Sequence, residues 1–211
     1  MIKFGTSGFR GIIGDNFTKE SVKKVAYAIC ELAKDENMKK PEVVIGYDNR
    51  FMSQDYAKWV GEVLSTTMKV KFYSISVPTP LVCFETKNMD FGIMITASHN
   101  PYNYNGIKVF LRGGRDCDDE KLRKIEKTAN KVKVESIKSE NFDDAIKSGK
   151  IVLANDIKKY CDSILNFVNI KTIQKSNIRV LVNAMHGNST GCIKYLLNKL
   201  KNNLKINTKL S

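Results

Sequence analysis

The feature that most constrains the fold of this chain is a repeated alternation between short apolar runs and longer amphipathic segments. The runs are rich in Val, Ile and Phe and have the length of strands, whereas the segments between them repeat apolar residues with helical spacing. Strands separated by helices of this length are typical of βαβ units, so we expect an α/β fold with a mixed, mainly parallel sheet flanked by helices. The predicted strands are 43–47, 70–75, 91–95 and 106–111, and the predicted helices are 18–37, 53–68, 81–86 and 118–130.

A polar stretch from residue 133 to residue 150 has few apolar anchors and indicates a domain edge. We therefore predict two domains, residues 1–150 and residues 151–211. The second domain holds a predicted helix at 155–167, a strand at 178–182 and a helix at 190–200, which are too few elements to close a sheet. It is expected to be an incomplete α/β unit, or else to pack on the first domain.

The net charge of +13 has two interpretations, because it could mark a nucleic-acid binder or a solvated basic surface with a pocket for an anionic metabolite. The lysines are spread over the whole chain, without a dense basic tract that alternates with aromatic residues, and this favours the second interpretation. No apolar run approaches the roughly 18 residues that a membrane span needs. We therefore expect neither nucleic acid nor membrane as a partner.

The five cysteines are widely scattered and none forms a C-x-x-C pair. This usage is typical of reduced thiols, so we predict a cytoplasmic protein. With only two histidines, a zinc site is not expected.

The most informative loop runs from residue 95 to residue 108, where an apolar strand leads Ser98 into a tight polar turn. A hydroxyl held in this way can accept or donate a phosphoryl group. His99 could donate a hydrogen bond to a developing negative charge, and Lys108 could bring an ammonium group to the same anion or act as a base. The alternative is an ordinary turn, since Ser, His, Asn and Pro are common turn residues.

Two further loops carry residues suited to an anion. Residues 5–11 contain three glycines, which let backbone N–H groups approach an anion closely, and Arg10, whose planar donors suit phosphate. Residues 46–50 span the end of the predicted strand 43–47 and finish in Asp48-Asn49-Arg50, where Asp48 either holds Arg50 in place or forms a simple surface ion pair. The glycine-rich segment can also be a flexible turn without function.

Together these loops resemble the α-D-phosphohexomutase family, which comprises phosphoglucomutases, phosphomannomutases and phosphoglucosamine mutases. The specific match is Thr96-Ala97-Ser98-His99-Asn100-Pro101, which is similar to the phosphoserine loop of the family, followed by Asn105-Gly106-Ile107-Lys108. The segments 4–11 and 46–50 support the match in the expected order, and Met185-His186-Gly187 resembles the opening of the second domain.

The resemblance implies an isomerase in which Ser98 carries a phosphoryl group. This group would pass to a glucose or mannose 1- or 6-phosphate, give a bisphosphate intermediate, and be replaced by the other phosphate of that intermediate. Arg10, His99 and Lys108 would assist, with Lys108 as a candidate base. The phosphate-binding residues would be Thr6, Ser7, Gly8, Arg50 and Asn100, and Mg²⁺ would bind partly through the phosphate on Ser98.

The chain also departs from the family pattern. The aspartate-rich metal loop and the sugar- and phosphate-binding loops of the later family domains have no counterpart here, and Asn183 stands where an aspartate is common. The resemblance therefore implies an N-terminal fragment that is inactive alone and whose partners are a hexose phosphate and the missing C-terminal domains. A non-catalytic module that binds sugar phosphates or other anions is the alternative function.

Overall fold

The computed structural model describes residues 1–5, 8–176, 180–200 and 206–207. The chain divides into two compact units, Met1–Ala154 and Asn155–Ser211. Within the described part of the chain, no helix is both long and apolar enough to cross a membrane.

The first unit has the alternating strands and helices that the sequence pattern predicts. Its strands are β1 (Phe4–Gly5), β2 (Gly8–Ile12), β3 (Glu42–Tyr47), β4 (Lys69–Tyr73), β5 (Phe91–Ile95), β6 (Tyr104–Leu111), β7 (Arg115–Asp116) and β8 (Ile151–Ala154). Its α-helices are α1 (Lys19–Asp35), α2 (Ser53–Leu64), α3 (Thr79–Glu85), α4 (Asp119–Lys131) and α5 (Phe142–Lys147), and two short 3-10 helices span Thr86–Asn88 and Val134–Ser136.

The strands form one sheet in the order β1-β2-β6-β5-β3-β4-β8, with β7 paired to β6. In the half of the sheet with the order β5-β3-β4-β8, each neighbouring pair of strands is parallel. The pairs β1–β2, β2–β6, β5–β6 and β6–β7 are antiparallel. The prediction of a mixed sheet flanked by helices is confirmed. The expectation that the sheet is mainly parallel is wrong, because three of its strand pairs are parallel and four are antiparallel.

Two layers of helices cover this sheet. The helices α1, α2 and α4 bury one apolar core with side chains from alternate positions of β3, β5 and β6, for example Val25, Ile45, Val60, Ile93 and Ile125. On the opposite face, α3 packs against β3 and β5, and the side chain of Val82 lies over Gly46. The sheet is therefore covered on both sides, as its nearly continuous apolar strands require.

The first helix begins where the sequence predicts. Thr18 and Ser21 form a capping box, in which the Ser21 amide donates to Thr18 Oγ1 at 3.2 Å and the Thr18 amide donates to Ser21 Oγ at 2.8 Å. The residue type of Ser53 predicts that it caps α2 in the same way, and this prediction is wrong. Met52 is the N-cap residue, with a φ of 58°, and the Ser53 hydroxyl donates instead to Asp48 at 2.7 Å.

Two strands lie where the sequence analysis placed loops or linkers. The glycine-rich segment, interpreted as a loop, continues into β2, which pairs with β6. The predicted domain boundary at residue 150 falls just before β8, which joins β4 in parallel, so the first unit extends to Ala154. In β8 the exposed side chains of Val152 and Leu153 are as apolar as the buried Ile151. The sequence of β8 therefore lacks the alternation of apolar and polar residues by which a half-buried strand is recognised.

The second unit contains α6 (Lys158–Leu165), α7 (Ile170–Lys175), β9 (Val180–Leu181), α8 (Thr190–Leu200) and β10 (Ile206–Asn207). β10 pairs in parallel with β9, and α6 packs against α8 around the buried Cys161 and Cys192. The predicted helix at 155–167 corresponds to α6. Of the predicted strand at 178–182, residues 178 and 179 lie outside the described residues.

The five thiols should differ in their rate of alkylation, because only Cys83 is partly exposed while the other four are buried. Burial raises the pKa of Cys30 to about 11 and the pKa values of Cys117 and Cys161 to about 12, which disfavours the reactive thiolate. At pH 8 we expect iodoacetamide to modify Cys83 at least about tenfold faster than the others. Mass spectrometry of partly alkylated native protein measures the order, with urea-unfolded protein as the control, and equal rates at all five would contradict this packing.

Candidate functional site

The candidate site lies at the carboxyl ends of β3 and β5, where two of the loops singled out in the sequence begin. β3 ends at Tyr47 and is followed by Asp48, whose amide donates to the carbonyl of Ile95 at 3.1 Å. β5 ends at Ile95 and leads into the turn with Ser98. The carboxyl edge of parallel strands is where α/β sheets bind their ligands. The sheet therefore brings both loops to the edge expected for a ligand site.

Ser98 occupies a left-handed backbone conformation, with a φ of 55°. This conformation is uncommon for a residue other than glycine, and it persists only where the surroundings hold it. The Ser98 amide donates to Thr96 Oγ1 at 2.9 Å, and Ser98 Oγ lies 3.4 Å from His99 Nδ1. The serine side chain is exposed at the tip of the turn. The hydroxyl therefore faces solvent, beside an imidazole nitrogen.

Arg10 reaches this loop from β2. Its Nη1 donates to Asn100 Oδ1 at 2.8 Å, although the two residues are ninety positions apart in sequence. Arg10 pairs with Gly106 in the sheet, and its Cγ lies 3.0 Å from the place that a Gly106 Cβ would occupy. The missing side chain at Gly106 thus lets the arginine pass over β6. The structure thus brings Arg10 and Asn100 of the Ser98 turn together.

Lys108 lies on β6, opposite Met94 of β5 and beside Gly8 of β2. Gly8 has a φ of 123°, and a Cβ there would meet the carbonyl of Ile107, so the two strands can pass this closely only with glycine. Lys108 is half-buried and makes no hydrogen bond to Ser98 within the described part of the chain. Burial raises the pKa of Cys83, and the nearby charge of Lys108 partly offsets this. The contacts of Lys108 are therefore with β2, β5 and the surroundings of Cys83, and the described residues show none with the serine.

The guanidinium of Arg50 points into the serine loop. Its Nε lies 3.3 Å from Asp48 Oδ2, so the predicted interaction of Asp48 with Arg50 is present, and both side chains are largely shielded from solvent. Its Nη1 and Nη2 donate over 2.7 to 3.0 Å to the carbonyls of Ser98, Asn100, Pro101 and Tyr104.

Two residues in this region were not given a role by the sequence analysis. Asn105, which is fully buried, donates from Nδ2 to Ser53 Oγ at 2.9 Å, while its Oδ1 accepts from the Gly106 amide at 2.8 Å. Ser53 in turn donates to Asp48. The chain Asp48–Ser53–Asn105 thus connects the two loops. In the sequence Asn105 stands out only as part of the segment 105–108 that resembles the family, and this does not reveal the partner of its side chain.

The remaining predicted site residues, Thr6 and Ser7, lie outside the described residues. No three His, Cys, Asp or Glu side chains come together as a metal-binding group in the described ranges. The predicted contribution of Ser98 to a metal site through its phosphate therefore remains a prediction.

Comparison with known proteins identifies the family. The sequence model described as "Phosphoglucomutase/phosphomannomutase, alpha/beta/alpha domain I" matches residues 1–136. The chain is 34% identical over 203 residues to a phosphoglucomutase/phosphomannomutase of Thermococcus kodakarensis and 29% identical over 212 residues to a phosphoglucomutase of Staphylococcus aureus. These alignments cover 93% and 96% of this chain but 42% and 37% of the two relatives.

Solved structures show the same fold. A Thermus thermophilus protein described as a phosphomannomutase superimposes with a TM-score of 0.84 at 24% identity, over 98% of this chain and 45% of that one. A phosphoglucomutase/phosphomannomutase family protein of Burkholderia thailandensis gives a TM-score of 0.77 at 19% identity, over 99% and 44%. Since the family's first domain accounts for well over half of the sequence, this chain belongs to the phosphoglucomutase/phosphomannomutase family.

Proposed function

We propose that this chain carries the phosphoserine part of a phosphohexomutase, with Ser98 as the residue that accepts and returns a phosphoryl group. The observation that carries the proposal is the Ser98 turn, where an exposed hydroxyl in a left-handed conformation lies next to His99. Strained backbone at a strand end is typical of functional sites. Membership of the family supports the reaction class.

In the proposed step, Ser98 Oγ forms a bond to the phosphorus of one phosphate of a hexose 1,6-bisphosphate. The bond between that phosphorus and the sugar oxygen breaks, and the sugar oxygen leaves as a hydroxyl group after taking up a proton. The serine proton passes to a base, for which Lys108 is the candidate. The reverse step returns the phosphoryl group to the other position of a glucose or mannose monophosphate.

The neighbouring residues would act mainly by position and charge, which is how phosphoryl transfer is catalysed. Arg10, anchored to Asn100 in the same loop, supplies a permanent positive charge close to the transferred group. His99 Nδ1 is within reach of the serine oxygen and can hydrogen-bond to it. Gly8 and the adjoining Thr6 and Ser7 would offer backbone and hydroxyl donors to the phosphate.

A Mg²⁺ ion does not fit the described side chains by themselves, because they contain no cluster of carboxylate, His or Cys groups. The ion would neutralise charge on the phosphate when bound. Among the described residues of this region, phosphorylated Ser98 would be its one source of ligand oxygens, so we derive no step through the ion.

The isomerisation of a hexose phosphate is proposed for the longer protein that the relatives represent. The chain spans about two fifths of the length of the curated relatives that it matches. We propose that this chain exchanges a phosphoryl group with the bisphosphate but does not turn over hexose phosphates alone. A cytoplasmic location fits five free thiols and is part of the proposal.

The proposal predicts that the chain releases one equivalent of hexose monophosphate when it is incubated with glucose 1,6-bisphosphate, and no more. A coupled dehydrogenase assay measures the release. Ser98→Ala should abolish it, whereas Ser74→Ala, at an exposed serine just beyond the end of β4, should leave it unchanged. Saturable binding of the bisphosphate without release, equal in Ser98→Ala, would contradict the proposal and favour the non-catalytic binding module.

A further inference from the structure

Arg50 uses its side chain in a way that phosphate binding does not explain. An arginine guanidinium carries five N–H donors in a fixed planar fork. In Arg50, one of these faces the Asp48 carboxylate and the other four are matched by four backbone carbonyls of a single loop. Every donor therefore has a protein acceptor, and none is directed to a ligand.

The four carbonyls belong to the turn that carries the serine. Two of them, those of Ser98 and Asn100, lie on either side of His99, and both accept from Nη2. The other two, those of Pro101 and Tyr104, accept from Nη1 and close the loop before β6. Carbonyl oxygens that converge in this way repel one another electrostatically, and a single delocalised cation offsets the repulsion. The guanidinium thus fixes the loop at both ends.

The position of Arg50 is itself fixed by the protein. Its amide donates to Asp48 Oδ1 at 3.1 Å, and the same oxygen accepts from Ser53, which is bonded to the buried Asn105 at the start of β6. The side chains of Arg50 and Asp48 are 15% and 14% exposed. We call the Arg50–Asp48 pair the clamp. Its hydrogen-bond partners outside the serine loop belong to α2 and β6, so its position does not depend on the loop that it holds.

We propose that Arg50 is a positioning residue that holds the Ser98 turn in its left-handed conformation, and that it is not a phosphate ligand. The consequence for phosphoryl transfer rests on the proposed function above. The claim that Arg50 holds the loop does not rest on the proposed function, because it concerns the unphosphorylated chain without any ligand.

The test is hydrogen exchange of the unliganded chain, read at the amides of Ser98, Asn100 and Tyr104. These amides donate within the loop, to Thr96 Oγ1, Ala97 O and Pro101 O. In Arg50→Lys, which keeps the charge but has neither the fork nor the reach, we expect them to exchange about tenfold faster or more. The amides of β3 should keep the wild-type rate. Arg112→Lys is the matched control, because Arg112 is an exposed arginine that pairs with Asp90.

A second variant, Asp48→Asn, keeps the shape of the clamp and weakens its anchor, so it should accelerate the same amides to a smaller degree. Unchanged loop exchange in Arg50→Lys would overturn the proposal. Equal acceleration of the loop and of β3 in both variants would also overturn it, since Arg50 would then support the domain as a whole.

Phosphorylation kinetics separate this inference from the proposed function. If Ser98 accepts phosphate, Arg50→Lys should lower the maximal rate and leave the half-saturating bisphosphate concentration unchanged, whereas a lost phosphate ligand would raise that concentration. If the wild-type chain accepts no phosphate, the proposed function fails, and the exchange result still decides whether Arg50 positions the loop.

Discussion

Replacing Lys108 with methionine is expected to slow the phosphorylation of Ser98 by hexose bisphosphate by about 10²- to 10⁴-fold, the usual contribution of a general base. Lys108 is half-buried on β6, between Met94 of the neighbouring strand and Gly8 on the other side. Methionine retains most of the apolar stem that packs there and removes only the ammonium group. We therefore expect the free energy of unfolding to change little while the rate falls.

The rate is measured by quenched-flow incorporation of labelled phosphate, together with urea unfolding of the same samples. Lys69→Met is the control, since Lys69 is exposed at the start of β4. A wild-type rate in Lys108→Met would exclude Lys108 as the base. A loss of rate with an equal loss of stability would assign it a structural role.

Replacing Gly106 with alanine is expected to destabilise the first unit by about 1–3 kcal/mol. The added Cβ would lie 2.6 Å from the Thr96 carbonyl and 2.8 Å from the Phe9 carbonyl, both of them backbone atoms that cannot move without shifting a strand. It would also press on the Arg10 side chain, which crosses β6 at this point. We expect Arg10 to lose its contact with Asn100, and phosphorylation of Ser98 to slow as well.

Gly61→Ala provides a control that should raise the free energy of unfolding instead of lowering it. Gly61 lies within α2, and its Cβ would meet only side-chain atoms at 3.6 Å, which is an ordinary packing distance. Since alanine favours helix over glycine, this variant should stabilise the chain by about 0.5–1 kcal/mol. Urea unfolding of both variants measures the difference. Equal stabilities would contradict the close approach of β2, β5 and β6 around Gly106.

The parts of the fold that the sequence predicts are those with strong periodicity. α1 and β3 have apolar residues at regular helical or strand spacing, and both lie within a few residues of the predicted bounds. β8 was not predicted, because it is an edge strand with two exposed apolar side chains and a polar linker before it. β2 was hidden by its glycines, which are needed for close approach rather than for a turn.

In the candidate site, the sequence reveals residues by their type but not the hydrogen-bond partners of their side chains. Ser98, His99 and Asn100 stand out in the sequence because they follow an apolar strand. The orientation of Arg50 could not be read from the sequence, because its acceptors are backbone carbonyls, which every residue has. Ser53 is a good helix cap by residue type, yet in the fold its hydroxyl donates to Asp48 and accepts from Asn105 rather than from a backbone amide of α2.

The most direct test of the central claim is to locate the phosphoryl group by peptide mass spectrometry. The chain is purified without phosphatase treatment, incubated with glucose 1,6-bisphosphate, and digested. The account predicts one phosphoryl group per chain, on Ser98, and none in Ser98→Ala. A chain that remains unphosphorylated after prolonged incubation, or one that carries the group on another residue while Ser98 stays free, would contradict it.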